Sequence, residues 1–167
     1  MKPIKVVFYI GITFFYLMIP CHGEEPMKES IAVMKPGVGI GDIRLGDNIP
    51  DVIKRMNKEP TEVKTVKNKD KKSVEYWISY KEMGITFVFD ELKKLNRIAV
   101  SNPGIVIGQK EIRVNSSLGE LQKSYGVEYL RDIDIGERFK QRIYPGVSFI
   151  INKETEKIVV IIIEKGN

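Results

Sequence analysis

The chain has 167 residues, with 27 Lys and Arg against 22 Asp and Glu, a net charge of +5. That excess is too mild for a nucleic-acid partner, which calls for a concentrated basic face, and an apolar content of 43% argues against disorder for most of the chain. The single cysteine and single histidine, Cys21 and His22, stand side by side near the N-terminus. The body therefore has neither residue, which excludes Ser-His-Asp and Cys-His catalysis there and zinc sites built on His or Cys.

In chain order the first element is a leader. Met1 to Lys5 carry two lysines, and Val6 to Ile19 run without a charge until Pro20. A basic start, a short apolar run and a small-residue cleavage site predict a secretory signal peptide, whereas a membrane-spanning helix needs roughly 17–25 apolar residues. Residues 1–23 are expected to be this signal peptide, making the protein exported, periplasmic or secreted. Two readings of the junction stay open. Cleavage after Gly23, with Cys21 at −3, discards the cysteine; cleavage before Cys21 makes it a lipidation site and anchors the protein to a membrane. Either outcome removes an unpaired thiol from an exported chain. Residues 24–35 are then expected to be a flexible N-terminal segment.

Without Lys2 and Lys5 the balance is 25 basic to 22 acidic residues, a net of +3, and the remaining body of about 144 residues suffices for one domain. A duplication runs through it. PGVGIG from Pro36 is matched by PGIVIG from Pro103, IRLGDNIPDVIKRMN from Ile43 by IRVNSSLGELQKSYG from Ile112, and GITFVFD from Gly84 by GVSFIIN from Gly146. Repeats of this kind mark two copies of one unit, with bounds at 36–102 and 103–167.

Each copy carries a helix signal. Ser117 with Glu120 is a capping box; Asn48 and Asp51 hold the same places in the first copy, with Pro50 in the first turn. Ile49, Val52, Ile53 and Met56 form one apolar stripe, and Leu118, Leu121 and Tyr125 the other. Asn57 and Gly126 end them. Strands are expected at VEYWISY, GITFVFD and NRIAVSN, and again at RFKQRIY, GVSFIIN and KIVVIIIE, because each alternates and is rich in β-branched and aromatic residues. The short links call for antiparallel pairing. The expected class is α+β: two tandem units, each a short opening strand, a short helix and a three-stranded antiparallel meander.

Ile43, Leu45, Gly46, Asp47 and Val52, followed by Phe87, Phe89 and Asp90, resemble the SmpA/OmlA (BamE) lipoprotein family, within the wider β-lactamase-inhibitor-protein-like fold. Asn57 stands where that family usually has the glycine of Gly-x-Pro, and Pro60 comes slightly later. The resemblance implies a small, non-enzymatic binding or assembly module at the cell envelope. Fold-level likeness does not name a partner.

Other chemistry is thinly signalled. PGVGIGD lacks the strand–turn–helix context of a phosphate loop. Asp132, Asp134 and Glu137 space oxygen ligands in a calcium-like manner, but the full loop pattern is missing and a turn with acids facing water is expected. No catalytic residue, metal ligand or cofactor is expected, and no enzymatic activity; a carboxylate-only hydrolase is the weakest reading. Lys64, Lys67, Lys69, Lys71 and Lys72 form a basic loop, a candidate for membrane-surface contact that also serves to keep the next strand soluble. Strand alternation places Trp77, Val88 and Ile150 on an uncovered sheet face with Ala99 and Ser148. These are the candidate partner-binding residues, an exposed tryptophan being a favoured interface anchor. The expected function is an exported envelope binding or assembly module acting through that face; the alternative is an inhibitor of a secreted or periplasmic enzyme.

Overall fold

Two helices of eight residues each, α1 (Ile49–Met56) and α2 (Leu118–Tyr125), are all the α-helix in the described part of the chain. The structure, a computed structural model, describes residues 33–68 and 73–165. The expected signal peptide, Cys21, most of 24–35 and Lys69, Lys71 and Lys72 lie outside the described residues. The capping follows the sequence at α2 and only in part at α1. Ser117 and Glu120 exchange both capping-box hydrogen bonds, so that Glu120 is held below the ordinary carboxylate range by the Ser117 backbone amide first and its hydroxyl second. Asn48 does not cap α1; its amide reaches Asp51 instead, at 3.4 Å. Asn57 closes α1 at φ 51°. Neither helix is long enough to be stable alone.

Apart from single 3-10 turns at Lys81–Met83 and Gly108–Lys110, the other regular elements among the described residues are strands. Short β1 (Val33–Lys35), β2 (Gly39–Ile40), β3 (Ile43–Arg44) and β8 (Val106–Ile107) form a four-stranded mixed sheet in the order β3-β2-β1-β8. The long strands are β4 (Glu62–Asn68), β5 (Ser73–Tyr80), β6 (Ile85–Phe89) and β7 (Leu95–Val100), then β9 (Arg131–Ile135), β10 (Phe139–Tyr144), β11 (Val147–Asn152) and β12 (Ile158–Glu164). They make one eight-stranded sheet in the order β4-β5-β6-β7-β12-β11-β10-β9, every pair antiparallel.

This overturns the expected α+β class with its three-stranded meanders. The protein is β-rich, and two segments read as loop or turn are edge strands. Lys64 and Lys67 lie in β4, and Asp132 and Asp134 in β9. The physical reason is shared: an edge strand carries charge to discourage further pairing, and that charge hides its alternation. The sheet is continuous because β7 pairs with β12, through Val100–Ile161, Ala99–Ile162, Ile98–Ile163 and Arg97–Glu164.

The equivalent segments are held alike. The amide of Gly46 donates to Leu95 and that of Leu95 to Asp47; in the second half Asn115 donates to Ile158 and Ile158 to Ser116. These bonds tie the turn before each helix to a central strand. One apolar core joins Val52, Met56 and Leu121 of the helices and Met34, Ile40 and Ile43 of the small sheet to Ile78, Tyr80, Phe87, Ile98, Phe149 and Ile163. Helices and small sheet thus cover one face of the large sheet.

Candidate functional site on the open sheet face

The other face follows from the register, since successive side chains alternate. One row runs Trp77, Val88, Arg97, Glu164; the next runs Ser79, Thr86, Ala99, Ile162, Ser148, Ile143. A third, confined to the second half, is Val160, Ile150, Gln141, Ile133. The face is uneven. In its first half polar groups satisfy one another: Ser79 and Thr86 hydroxyls lie 3.1 Å apart, and Trp77 Nε1 donates to Glu75 at 3.0 Å. Its second half is mostly half-buried aliphatic surface from Val160, Ile162, Ile150, Ile143 and Ile133.

Of the predicted binding residues, Trp77 and Val88 face each other in direct register, while Ile150 lies three strands farther along. Trp77 is 36% exposed and Ile150 half-buried. Val88 is on the predicted face but only 4% exposed. Arg97 reaches over β6 to Glu75 at 2.6 Å, and Val88 sits between Arg97 and Trp77 in the register. The ion pair and indole therefore occupy the space a partner would need to touch it. Ser148 is likewise fully buried, taking a hydrogen bond from Gln141 Nε2 at 2.8 Å.

Lys64 pairs with Glu62 on the open face at 2.7 Å; Lys67 points to the opposite side of β4 by alternation. The acids grouped as DIDIGE are engaged separately, Asp132 with Arg142 and Asp134 with Lys153 at 2.7 Å. No grouping of three or more His, Cys, Asp or Glu side chains able to hold a metal occurs among the described residues.

Asp132 is held below its ordinary pKa of 3.8, chiefly by its hydrogen bonds to Arg142. A carboxylate depressed by folding stabilises fully above its unfolded pKa, and that contribution is lost as pH falls through the folded value. Glu62, lowered by Lys64 and then Lys81, and Glu82, lowered by Lys58, add the same sign. Thermal stability is therefore expected to be level between about pH 7 and 5 and to fall below about pH 4. Scanning calorimetry across that range checks it, and Asp132→Asn should flatten the acid limb while lowering the neutral plateau. An unchanged acid limb in that variant would assign the loss to other carboxylates.

Fold and face together define a class, a β-rich two-layer protein with one large sheet face left uncovered by its own described residues. Among those residues no helix is long and apolar enough to cross a membrane. No family model matches the chain, and no curated protein matches its sequence. Among solved structures it is similar to the uncharacterized protein YfeY from Escherichia coli, with a TM-score of 0.54 and 10% identity over 79% of this chain and 99% of that one. At that identity the likeness concerns the fold alone.

Proposed function

We propose that this protein is an exported cell-envelope binding or assembly module that works through the open face of its large sheet, without chemistry of its own. The observation that carries the reading is the uneven face: a largely aliphatic row, Val160, Ile150, Gln141 and Ile133, across its second half, and an exposed Trp77 on the far side of its first half. Rigid apolar residues on a pre-formed sheet bind at low entropic cost. Export is supported by the leader's composition, a non-enzymatic role by a body without histidine or cysteine, and an envelope setting by the resemblance to BamE. Contact of the Lys64 edge with anionic headgroups belongs to the same reading.

The test is capture of envelope proteins by the immobilised protein, compared with Trp77→Ala and Ile150→Asp variants whose fold is verified by circular dichroism. A specific partner should be captured, and each change should weaken its binding by about 2 kcal/mol, the level of an interface hot spot. Capture of the same partner with undiminished affinity by both variants would sink the open face as the binding surface. Stoichiometric inhibition of a captured hydrolase would convert the module into an inhibitor.

A further inference from the structure

The duplicated register exposes one position where the two halves solve the same problem differently. Val63 on β4 faces Ile78 on β5, and the equivalent pair on β9 and β10 is Asp132 facing Arg142. The flanking residues fix the equivalence: Tyr80 and Tyr144 each stand two residues on, and the amides of Thr61 and Leu130 donate to Ser79 and Ile143 at 2.8 Å. Ile78 is 2% exposed and Arg142 5%. An isoleucine fits this site in the first half, whereas a buried guanidinium must be desolvated and paired. Folding alone therefore gives no reason for the arginine.

The guanidinium is only partly used. Its Nε and Nη2 donate to the two Asp132 oxygens at 3.0 and 2.9 Å, and its Cζ lies 4.1 Å from the Tyr129 ring centroid. Nη1 is buried with no hydrogen-bond partner, a state that costs free energy and calls for an explanation. Tyr125, Tyr144 and Phe149 form an aromatic cluster beside it, with centroids 5.1–5.8 Å apart. Lys110 Nζ lies 3.9 Å from the Tyr125 centroid and also lines a groove of about 780 Å³ along α2. The cover over Arg142 is a short segment, Gly126–Leu130, on which Tyr129 is 40% exposed and Val127 and Leu130 are each 69% exposed. The matching residues of the first half, Lys58, Glu59, Pro60 and Thr61, are polar or proline. Among the described residues, Val127, Glu128 and Tyr129 donate no backbone hydrogen bond.

We propose that Arg142 is a ligand-binding residue: when the Tyr129 ring swings aside, the free Nη1 receives a carboxylate carried on an aromatic or apolar body, which packs on the tyrosine cluster. Asp132 is a positioning residue that holds the fork, and Lys110 supplies the second positive charge. A free acid and the C-terminal carboxylate of a peptide ending in an aromatic residue share this chemistry.

The experiment titrates the purified protein with 3-phenylpropionate and, separately, with a short peptide ending in phenylalanine, using calorimetry and the ring signals of labelled tyrosine. The corresponding amides and inorganic phosphate serve as controls. At least one free carboxylate should bind saturably and move the Tyr129 signals, and its amide should bind at least about tenfold more weakly, the loss expected for one charge-assisted hydrogen bond. Binding by the acid alone identifies a small ligand; binding by the peptide alone identifies a chain terminus. Arg142→Ile, the first half's own solution, should fold and lose binding, and Arg142→Lys should lose at least about tenfold while keeping the charge. The proposal is overturned if neither carboxylate binds, if amide or phosphate binds equally well, or if Arg142→Lys binds like the parent.

Discussion

Replacing Gly146 with alanine should lower the stability of this protein by about 3 kcal/mol, combining left-handed backbone strain with overpacking. Gly146 sits at φ +74° in the turn between β10 and β11, and a Cβ there would lie 2.6 Å from the backbone nitrogen of Gly37 and 2.8 Å from its Cα. Neither neighbour is a side chain that can swing away. The Gly37 amide also donates to the Gly146 carbonyl at 2.8 Å, so separation would break the bond that docks the start of the first half on the second. Gly136 supplies the control: its φ is +63°, with nothing within 4 Å of an added Cβ. Gly136→Ala should therefore show the backbone strain alone, about 1 kcal/mol. Urea midpoints of the two variants separate the contributions, and equal shifts would show that the close approach to Gly37 costs nothing.

Ile163→Ala is expected to cost about 3–4 kcal/mol, the range for truncating a large aliphatic side chain in a packed core. Ile163 is fully buried and faces Ile98, also fully buried, across the β7–β12 pairing. This is the seam that makes one sheet from two sets of strands. If the seam couples the halves, unfolding followed by Trp77 fluorescence and by far-ultraviolet dichroism should remain one coincident transition, shifted as a whole by the substitution. The Ile98→Ala, Ile163→Ala double variant should fall short of additivity by at least about 0.5 kcal/mol, because the partners share one contact. Two separate transitions, only one of them moved, would mean that the halves fold independently.

The helices and the central strands were legible because their signals are local. Ser117 and Glu120 lie three residues apart, and the alternation in Ile85–Phe89 needs no partner to be seen. The edge strands were not legible. Lys64 and Lys67 in β4, and Asp132 and Asp134 in β9, read as solvated charge until their register with β5 and β10 is known. The open face was legible by alternation, but the burial of Val88 within it was not, because its cover, the Arg97–Glu75 pair, joins residues from strands on either side of β6. The burial of Arg142 was not legible for a related reason. In RFKQRIY either alternate set can face the core, and only pairing with Asp132 and stacking on Tyr129 reveal which one does.

By itself the sequence determined where each helix starts and stops, which segments repeat, and that the body lacks histidine and cysteine chemistry. Those properties are set by neighbours a few residues apart or by composition. Tertiary structure decided that β7 and β12 adjoin, that the sheet is continuous, and that a buried arginine replaces an isoleucine within a duplicated register. Each of these depends on which distant backbone amides and carbonyls meet, and that choice is made by burying all the apolar faces at once.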